Sequence, residues 1–301
     1  MDRRRMCPNC RAFISSDDRV CQYCGFALTP PVSQPASMEA VSGLIPEHAF
    51  TTFMLLVING AVWALSVMLS KQAGNSRALM DIDGDTLVAL GAKWSPYIRQ
   101  DGQWWRLITA GFLHGGLFHI LMNGWAMLQL GRQVDIIFGS VRYLIIFFAG
   151  TIGGFWLSSV LSPGSLSVGA SAGLCGLVGS MIAVGFLSRS SLALEVRHGY
   201  VRYAGFVLAF GFISSMLGWW PIDNMAHLGG IGGGFAAAMV IGLPRPVIPS
   251  RDRLWTLAAC ACVMITAFSF FEMFENYTRT HPPSQPIAPR HVIRQVPTER
   301  L

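Results

Sequence analysis

Seven stretches of the chain contain no Asp, Glu, Lys or Arg, and each has close to the ~20 residues that an α-helix needs to cross the hydrocarbon layer. Charged residues make up 13% of the 301 residues, against about 25% in soluble domains. No stretch alternates with a period of two residues, which disfavours a β-barrel. The sequence therefore predicts an all-α polytopic membrane protein with transmembrane helices in residues 50–69, 111–131, 143–161, 169–187, 203–220, 224–243 and 254–271.

Arginine placement predicts how these helices are oriented. The segment before the first apolar stretch and the even-numbered connections carry arginines, whereas the short connections 162–168 and 221–223 carry no Lys or Arg. By the positive-inside rule the N-terminus is cytoplasmic, as expected for a protein of a bacterial inner (plasma) membrane. Because the first apolar stretch follows some fifty polar residues, we expect it to be retained as an anchor rather than cleaved. The net charge of +6 is then a topology signal, with the lipid bilayer and no nucleic acid as partner.

Residues 1–28 form a separate unit with two cysteine pairs, CPNC and CQYC, contributed by Cys7, Cys10, Cys21 and Cys24. Such spacing is typical of a zinc ribbon, in which four thiolates bind one tetrahedral ion. Two disulfides or four free thiols are the alternatives. A reducing cytoplasmic compartment favours zinc, and so short a unit needs the metal to fold. We expect a small structural zinc ribbon ahead of the helices.

Three further segments lie outside the predicted helices. Residues 29–49 contain four prolines and are predicted to be a linker. Residues 70–110, called the outer segment below, contain Trp94, Tyr97, Trp104 and Trp105, residues that favour a membrane–water interface. The tail, residues 276–301, is proline-rich and predicted to be flexible.

Three polar side chains, His114, His119 and Asn123, lie within the second apolar stretch. On one continuous helix the last two share a face, and His114 lies half a turn off the same stripe. Polar residues at membrane depth are costly, so the default interpretation is a functional site. Hydrogen bonding between helices is the alternative for any one of them.

The second, fourth and sixth helices all run from outside to inside, and each carries its polar residues in its first half. Ser171 and His227 therefore lie at the depth of the polar residues in the second helix. Glycines 169, 173, 176, 230, 233 and 234 should let the fourth and sixth helices approach closely. A serine beside a histidine is an activated nucleophile with its base. Asp223 is more simply the cap of the sixth helix than a third catalytic residue.

These residues resemble the rhomboid family of intramembrane serine proteases over residues 50–243. The matching motifs are WWR at 104–106, H-x4-H-x3-N at 114–123, GR at 131–132, G-x-S at 169–171 and AHLGGIGGG at 226–234. The resemblance implies a six-helix catalytic core that cleaves transmembrane protein substrates near the outer face, with residues 254–271 as an additional seventh helix. It also implies Ser171 as nucleophile and His227 as base. His119 and Asn123 would line the oxyanion site with Gly169 of the G-x-S motif, and His114 would support them.

The chain departs from the family pattern at Ala172, Asp135 and Cys175. None of these changes removes a reacting group, so the expected function is a serine endopeptidase that needs no cofactor for catalysis. A non-catalytic relative that binds transmembrane segments is the alternative, and its signature would be loss of Ser171 or His227. A transporter is a third reading, but it predicts polar residues in both halves of the membrane.

Overall fold

The structure is a computed structural model that describes residues 4–6, 13–15, 20–26, 50–188, 190–244 and 249–280. The chain divides into two compact units, Met1–Glu47 and His48–Leu301. The proposed linker at residues 29–49 lies outside the described residues, as does the tail beyond residue 280. Each unit is therefore described by itself.

The first unit contains two short strands, β1 (Arg4–Met6) and β2 (Phe13–Ser15), which pair antiparallel. A turn follows at Cys21 and Cys24, where the Gly25 N–H donates to the Cys21 carbonyl at 2.9 Å. Gly25 has φ +70°, the left-handed conformation that glycine adopts without strain. Cys7 and Cys10 lie outside the described residues, so the four-cysteine cluster stays a prediction.

The second unit is helical throughout. Its described residues form ten helices: α1 Phe50–Gln72, α2 Gly84–Ala89, α3 Ser95–Arg99, α4 Arg106–Thr109, α5 Leu117–Phe138, α6 Ser140–Leu161, α7 Ser171–Leu187, α8 Ser191–Met216, α9 Asn224–Ile241 and α10 Pro249–Thr280. Each of the seven long helices overlaps one of the seven apolar stretches, and the three short ones lie in the outer segment. The predicted all-helical, polytopic class is confirmed.

Four helices in the described part of the chain, α1, α6, α9 and α10, are long and apolar enough to cross a membrane. Helix α7 is equally apolar but has 17 residues, and α5 and α8 do not reach the same hydropathy over a full span. Helix α8 begins with the charged residues Glu195 and Arg197. That all seven helices cross the bilayer therefore stays a prediction.

Two helices begin later than the apolar stretches suggest. Helix α5 starts at Leu117, so His114 lies in the preceding turn. The prediction that His114 lies in the same continuous helix as His119 and Asn123, half a turn off their stripe, is therefore wrong. The cause is Gly116, where a Cβ would lie 1.9 Å from the Met80 carbonyl oxygen. The outer segment passes too close there for the helix to extend. Likewise α7 begins at Ser171, which leaves Gly169 in the connection before it.

Helices α7 and α9 pack with their backbones in contact. A Cβ on Gly234 would lie 1.9 Å from the carbonyl oxygen of Gly176, and one on Gly230 would lie 2.3 Å from that of Ala172. Both distances are shorter than any real Cβ contact, so only glycine fits at these positions. The close approach expected from Gly230 and Gly234 is confirmed.

Three of the six glycines serve α6 instead. A Cβ on Gly173, Gly176 or Gly233 would lie 2.5 Å from the Phe147 ring, 2.7 Å from the Gly150 Cα or 2.6 Å from the Ala149 carbonyl oxygen, respectively. The prediction that these three bring α7 to α9 is wrong. Helix α6 packs against both α7 and α9, so the three helices form one tight group.

The outer segment is folded around Arg106, whose side chain is 1% exposed. Its guanidinium donates to the carbonyls of Val88 and Ala92 at 2.7 and 3.1 Å, and it lies over the rings of Tyr97 and Trp105. Burial lowers the pKa of Arg106 to about 10, which leaves it charged at neutral pH. The positive charge thus joins the successive turns of the segment.

Helix α10 is longer than the predicted stretch and supports the outer segment. Met273 packs in a cluster with Ile82, Leu87 and Leu90 of that segment, and Phe270 contacts the Phe112 ring with centroids 5.4 Å apart. The additional helix therefore packs on the described core rather than standing apart from it.

We predict that Gly234→Ala destabilises the protein, because the new methyl group must push α9 away from α7. Overpacking of this kind costs about 1–3 kcal/mol. Gly232→Ala is the matched control, since a Cβ at Gly232 meets nothing within 4 Å. Thermal unfolding in detergent checks both variants. A Gly234→Ala protein as stable as the Gly232→Ala protein would contradict the packing described here.

Candidate active site

Ser171 and His227 are joined by a hydrogen bond across the α7–α9 contact. Ser171 is the first residue of α7 and His227 lies in the first turn of α9, with Ser171 Oγ 3.0 Å from His227 Nε2. His227 is buried and Ser171 is partly exposed. A histidine nitrogen at this distance can accept the hydroxyl proton, which makes the oxygen a stronger nucleophile.

Asp223 caps the helix that carries His227. Its Oδ1 accepts the Ala226 N–H at 3.0 Å, and its Oδ2 accepts a short hydrogen bond from the Ser158 hydroxyl. Both carboxylate oxygens are thus used, and His227 Nδ1 has no hydrogen-bond partner among the described residues. The predicted cap is confirmed, and the histidine is held by packing rather than by a carboxylate.

His119 directs one ring nitrogen towards the nucleophile. Its Nδ1 accepts the Gly115 N–H at 3.3 Å, so the neutral ring carries its proton on Nε2. A Cβ on Gly169 would lie 2.7 Å from that Nε2 and 3.7 Å from Ser171 Oγ. Gly169 has φ +125°, which L side chains rarely adopt. Glycine at 169 therefore lets an N–H donor come close to the serine.

Asn123 and His114 lie further from the serine. The Asn123 amide donates to the His119 carbonyl at 2.9 Å, which leaves its second hydrogen for another acceptor. His114 is fully buried, and its ring meets the His119 ring edge-on with centroids 5.1 Å apart. His114 thus supports His119 from the turn before α5.

A cavity of about 390 Å³ opens between α1 and α5 beside these residues. His114, Asn123 and Ala170 form part of its wall, together with Asn59 of α1. Asn59 is 3% exposed. Sequence reasoning missed Asn59, although an asparagine in the middle of an apolar stretch is the same signal that identified the residues of α5.

Cys175 lies one helical turn after Ser171 and is buried. A Cβ on Gly230 would lie 3.1 Å from the Cys175 Cβ, and Gly230 is three residues after His227. The Cys175 side chain therefore packs against α9 beneath the pair.

Residues 101–244 match the family model described as the Rhomboid domain. The rhomboid protease GluP of Bacillus subtilis is 38% identical over 172 residues, which is 56% of this chain and 32% of that protein. The RHOMBOID-like protein 6, mitochondrial, of Arabidopsis thaliana is 33% identical over 52% of this chain and 50% of its own length. The rhomboid-like protease 2 of Toxoplasma gondii is 32% identical over 62% of this chain and 65% of its own length.

The fold and the site therefore define a multi-pass helical membrane protein with a polar site at the meeting of α5, α7 and α9. Its residues 101–244 are similar to a rhomboid domain. The chain spans about a third of the length of the first of these relatives and half of the second. The Ser171–His227 contact, His119 and Gly169 all lie within the matched domain.

We predict that Gly169→Ala slows the reaction of Ser171 with a small fluorophosphonate by about tenfold or more, because its methyl group would displace His119. Gly164→Ala, in the same connection, meets nothing within 4 Å and should react like the unmodified protein. Mass spectrometry of the labelled protein measures both rates. Equal rates for the two variants would show that His119 and Gly169 do not act on the serine.

Proposed function

We propose that this protein is an intramembrane serine endopeptidase that uses Ser171 and His227. The observation that carries the proposal is the 3.0 Å contact between Ser171 Oγ and His227 Nε2, within a domain whose relatives include proteins named rhomboid proteases. No metal or cofactor enters the proposed reaction.

Acylation begins when Ser171 Oγ attacks the carbonyl carbon of the scissile peptide bond and its proton passes to His227 Nε2. The tetrahedral intermediate collapses as the C–N bond breaks, and His227 returns the proton to the leaving amine. The products of this half-reaction are an acyl ester on Ser171 and a free amine.

The intermediate carries a negative oxygen that needs donors. His119 contributes the N–H on Nε2, and Ser171 contributes its backbone N–H, which has no acceptor within α7 because it lies at the helix start. The second amide hydrogen of Asn123 is a further candidate. Fixed donors of this kind supply much of the rate enhancement in acyl transfer.

Deacylation uses water. His227 takes a proton from a water molecule as its oxygen attacks the ester carbonyl, and the proton then returns to Ser171 Oγ as the acid product leaves. The same two residues thus serve both halves of the reaction.

The proposed substrates are transmembrane segments of other membrane proteins, cut near the outer face. The site lies at the N-terminal ends of α7 and α9, which the arginine pattern places towards the outside.

We also propose a cytoplasmic N-terminus in a bacterial inner membrane. Reporter fusions at residues 40 and 285 should lie on opposite sides, and a shared side would overturn this topology.

We predict that Ser171→Ala and His227→Ala each abolish cleavage while the protein stays folded, because each removes a reacting group. Asn123→Ala should be milder, since other donors remain. Cleavage of a panel of type I transmembrane segments by protein in lipid vesicles is the measurement.

Two substitutions serve as matched controls. Ser180→Ala changes a buried serine of the same helix, which donates to Leu177, and His198→Ala changes a histidine of α8. Both should cleave normally. Cleavage by purified Ser171→Ala would exclude the proposed nucleophile, and a folded, inactive wild type would favour a relative that only binds segments.

We further propose that the N-terminal unit holds one zinc ion. Cys21 and Cys24 lie on one turn closed by Gly25, the geometry that two ligands of a ribbon need, and Cys7 and Cys10 would complete the tetrahedron. The ion would be structural.

We predict one zinc per chain in protein purified under reducing conditions, and none after Cys21→Ser with Cys24→Ser. Deletion of residues 1–28 should leave cleavage of a short model substrate intact, because the unit contributes no group to the reaction. Elemental analysis and the cleavage assay provide the measurements. Wild-type protein without zinc would contradict the proposed zinc site. A deletion variant that is folded but inactive would contradict the claim that residues 1–28 are dispensable for cleavage.

A further inference from the structure

Lys93 is a fully buried cation outside the reacting pair. The chain has only two lysines, Lys71 and Lys93, beside twenty arginines. Lys71 is exposed at the end of α1, whereas Lys93 is 0% exposed in the outer segment. Burying a charge is costly unless its donors are satisfied, so the contacts of Lys93 need an explanation.

All three donors of the Lys93 ammonium converge on one turn. Nζ donates to the carbonyl oxygens of Ser162 and Ser165 at 2.8 and 3.0 Å and to Ser165 Oγ at 3.0 Å. These acceptors belong to the α6–α7 connection, residues 162–170. A compact ammonium with three donors suits three converging oxygens better than a planar guanidinium does.

The same connection leads directly to the nucleophile. Lys93 and Ser167 exchange backbone hydrogen bonds at 3.0 and 3.2 Å, and the Gly169 N–H donates to the Ala110 carbonyl at 2.9 Å. Ser171 follows two residues later. The outer segment therefore holds the connection at the Lys93 side chain, at the Lys93 backbone and at Ala110.

Lys93 also interacts electrostatically with the helix that carries His227. Asp223 is the charged group that acts on it, and Asp223 caps α9 one turn before His227. Ser158 of α6 bonds to the same carboxylate, and residues 162–168 contain no ionisable side chain. The ammonium thus binds the chain that leads to Ser171 and is stabilised by the charge of the residue that caps the helix of His227.

We propose that Lys93 is a positioning residue that holds the α6–α7 connection so that Ser171 is presented to His227 and His119. The inference rests on the proposed protease function and adds to it a requirement for a charged group outside the reacting pair. Lys93 donates to the α6–α7 connection rather than to Ser171. It therefore acts on Ser171 through residues 162–169 and not through the substrate.

The charge state of Lys93 gives this role a measurable signature. Burial lowers its pKa from 10.5 to about 8, against a smaller opposite effect of Asp223. Above that pH the amine has only two donors for three acceptors, and the connection loosens. The unfolded chain still binds the proton up to its ordinary pKa of 10.5, so between the two values the unfolded state binds more protons. The free energy of unfolding therefore rises with pH there, while the reactivity of Ser171 falls.

The test is the rate of fluorophosphonate labelling at Ser171, measured on the full chain in lipid nanodiscs from about pH 7 to about pH 9.5. Wild-type protein should lose reactivity with a midpoint near pH 8 and lose no thermal stability. Lys93→Met, which fills the same space without donors, should react about tenfold or more slowly and lack the alkaline decline. Lys71→Met, the matched control, should behave like wild type.

The outcomes separate the two proposals. If wild-type protein neither labels nor cleaves at any pH, the proposed function fails and this inference with it. If wild type is active but Lys93→Met labels equally fast with the same pH profile, only the positioning role is overturned. If Lys93→Met does not fold, Ser165→Ala removes one acceptor and should slow labelling about twofold to fivefold, whereas Ser162→Ala keeps its carbonyl and should not. Equal rates for these two serine variants would overturn the role.

Discussion

The contact between the backbones of α7 and α9 is the constraint on which the site depends. Gly234 packs on the Gly176 carbonyl, and Gly230 packs on Ala172. Side chains at these positions would separate the helices by more than a hydrogen bond can span. Because Ser171 lies on α7 and His227 lies on α9, the distance between the two helices determines whether their side chains can form a hydrogen bond. The absence of side chains at these glycines therefore allows a polar pair to form at membrane depth.

The outer segment, residues 70–110, meets a different requirement. There the chain is irregular and carries two buried cations, Arg106 and Lys93, and each donates to two backbone carbonyl oxygens. Arg106 binds the turns of the outer segment to each other, and Lys93 binds that segment to the connection before Ser171. Buried donors without partners would be costly, so these contacts fix the loops about as firmly as the helices. The packed helices and the outer segment thus both hold Ser171 in position.

Much of this was readable from the sequence because membrane helices have simple rules. Uncharged length predicted the seven long helices, and shared depth predicted that Ser171 and His227 meet, whereas the orientation indicated by the arginines stays a prediction. Helix starts were less predictable, since α5 begins only after Gly116, which packs against Met80, far away in sequence. Helix α8 begins twelve residues before its apolar stretch, and the missed signal was Ser190, whose side chain caps it. Lys93 could not be found by periodicity, because its acceptors lie about seventy residues away, and two of the three are backbone carbonyls, which any residue type supplies.

Mapping the covalent adduct of a fluorophosphonate on the purified, membrane-embedded protein tests the central claim most directly. The reagent bonds to an activated serine oxygen, so peptide mass spectrometry reads out the nucleophile without a known substrate. We predict one adduct per chain, on Ser171, with cleavage of transmembrane segments lost in proportion to labelling. An adduct on another residue, or unimpaired cleavage by fully labelled protein, would contradict the assignment of Ser171 and His227 as the reacting pair.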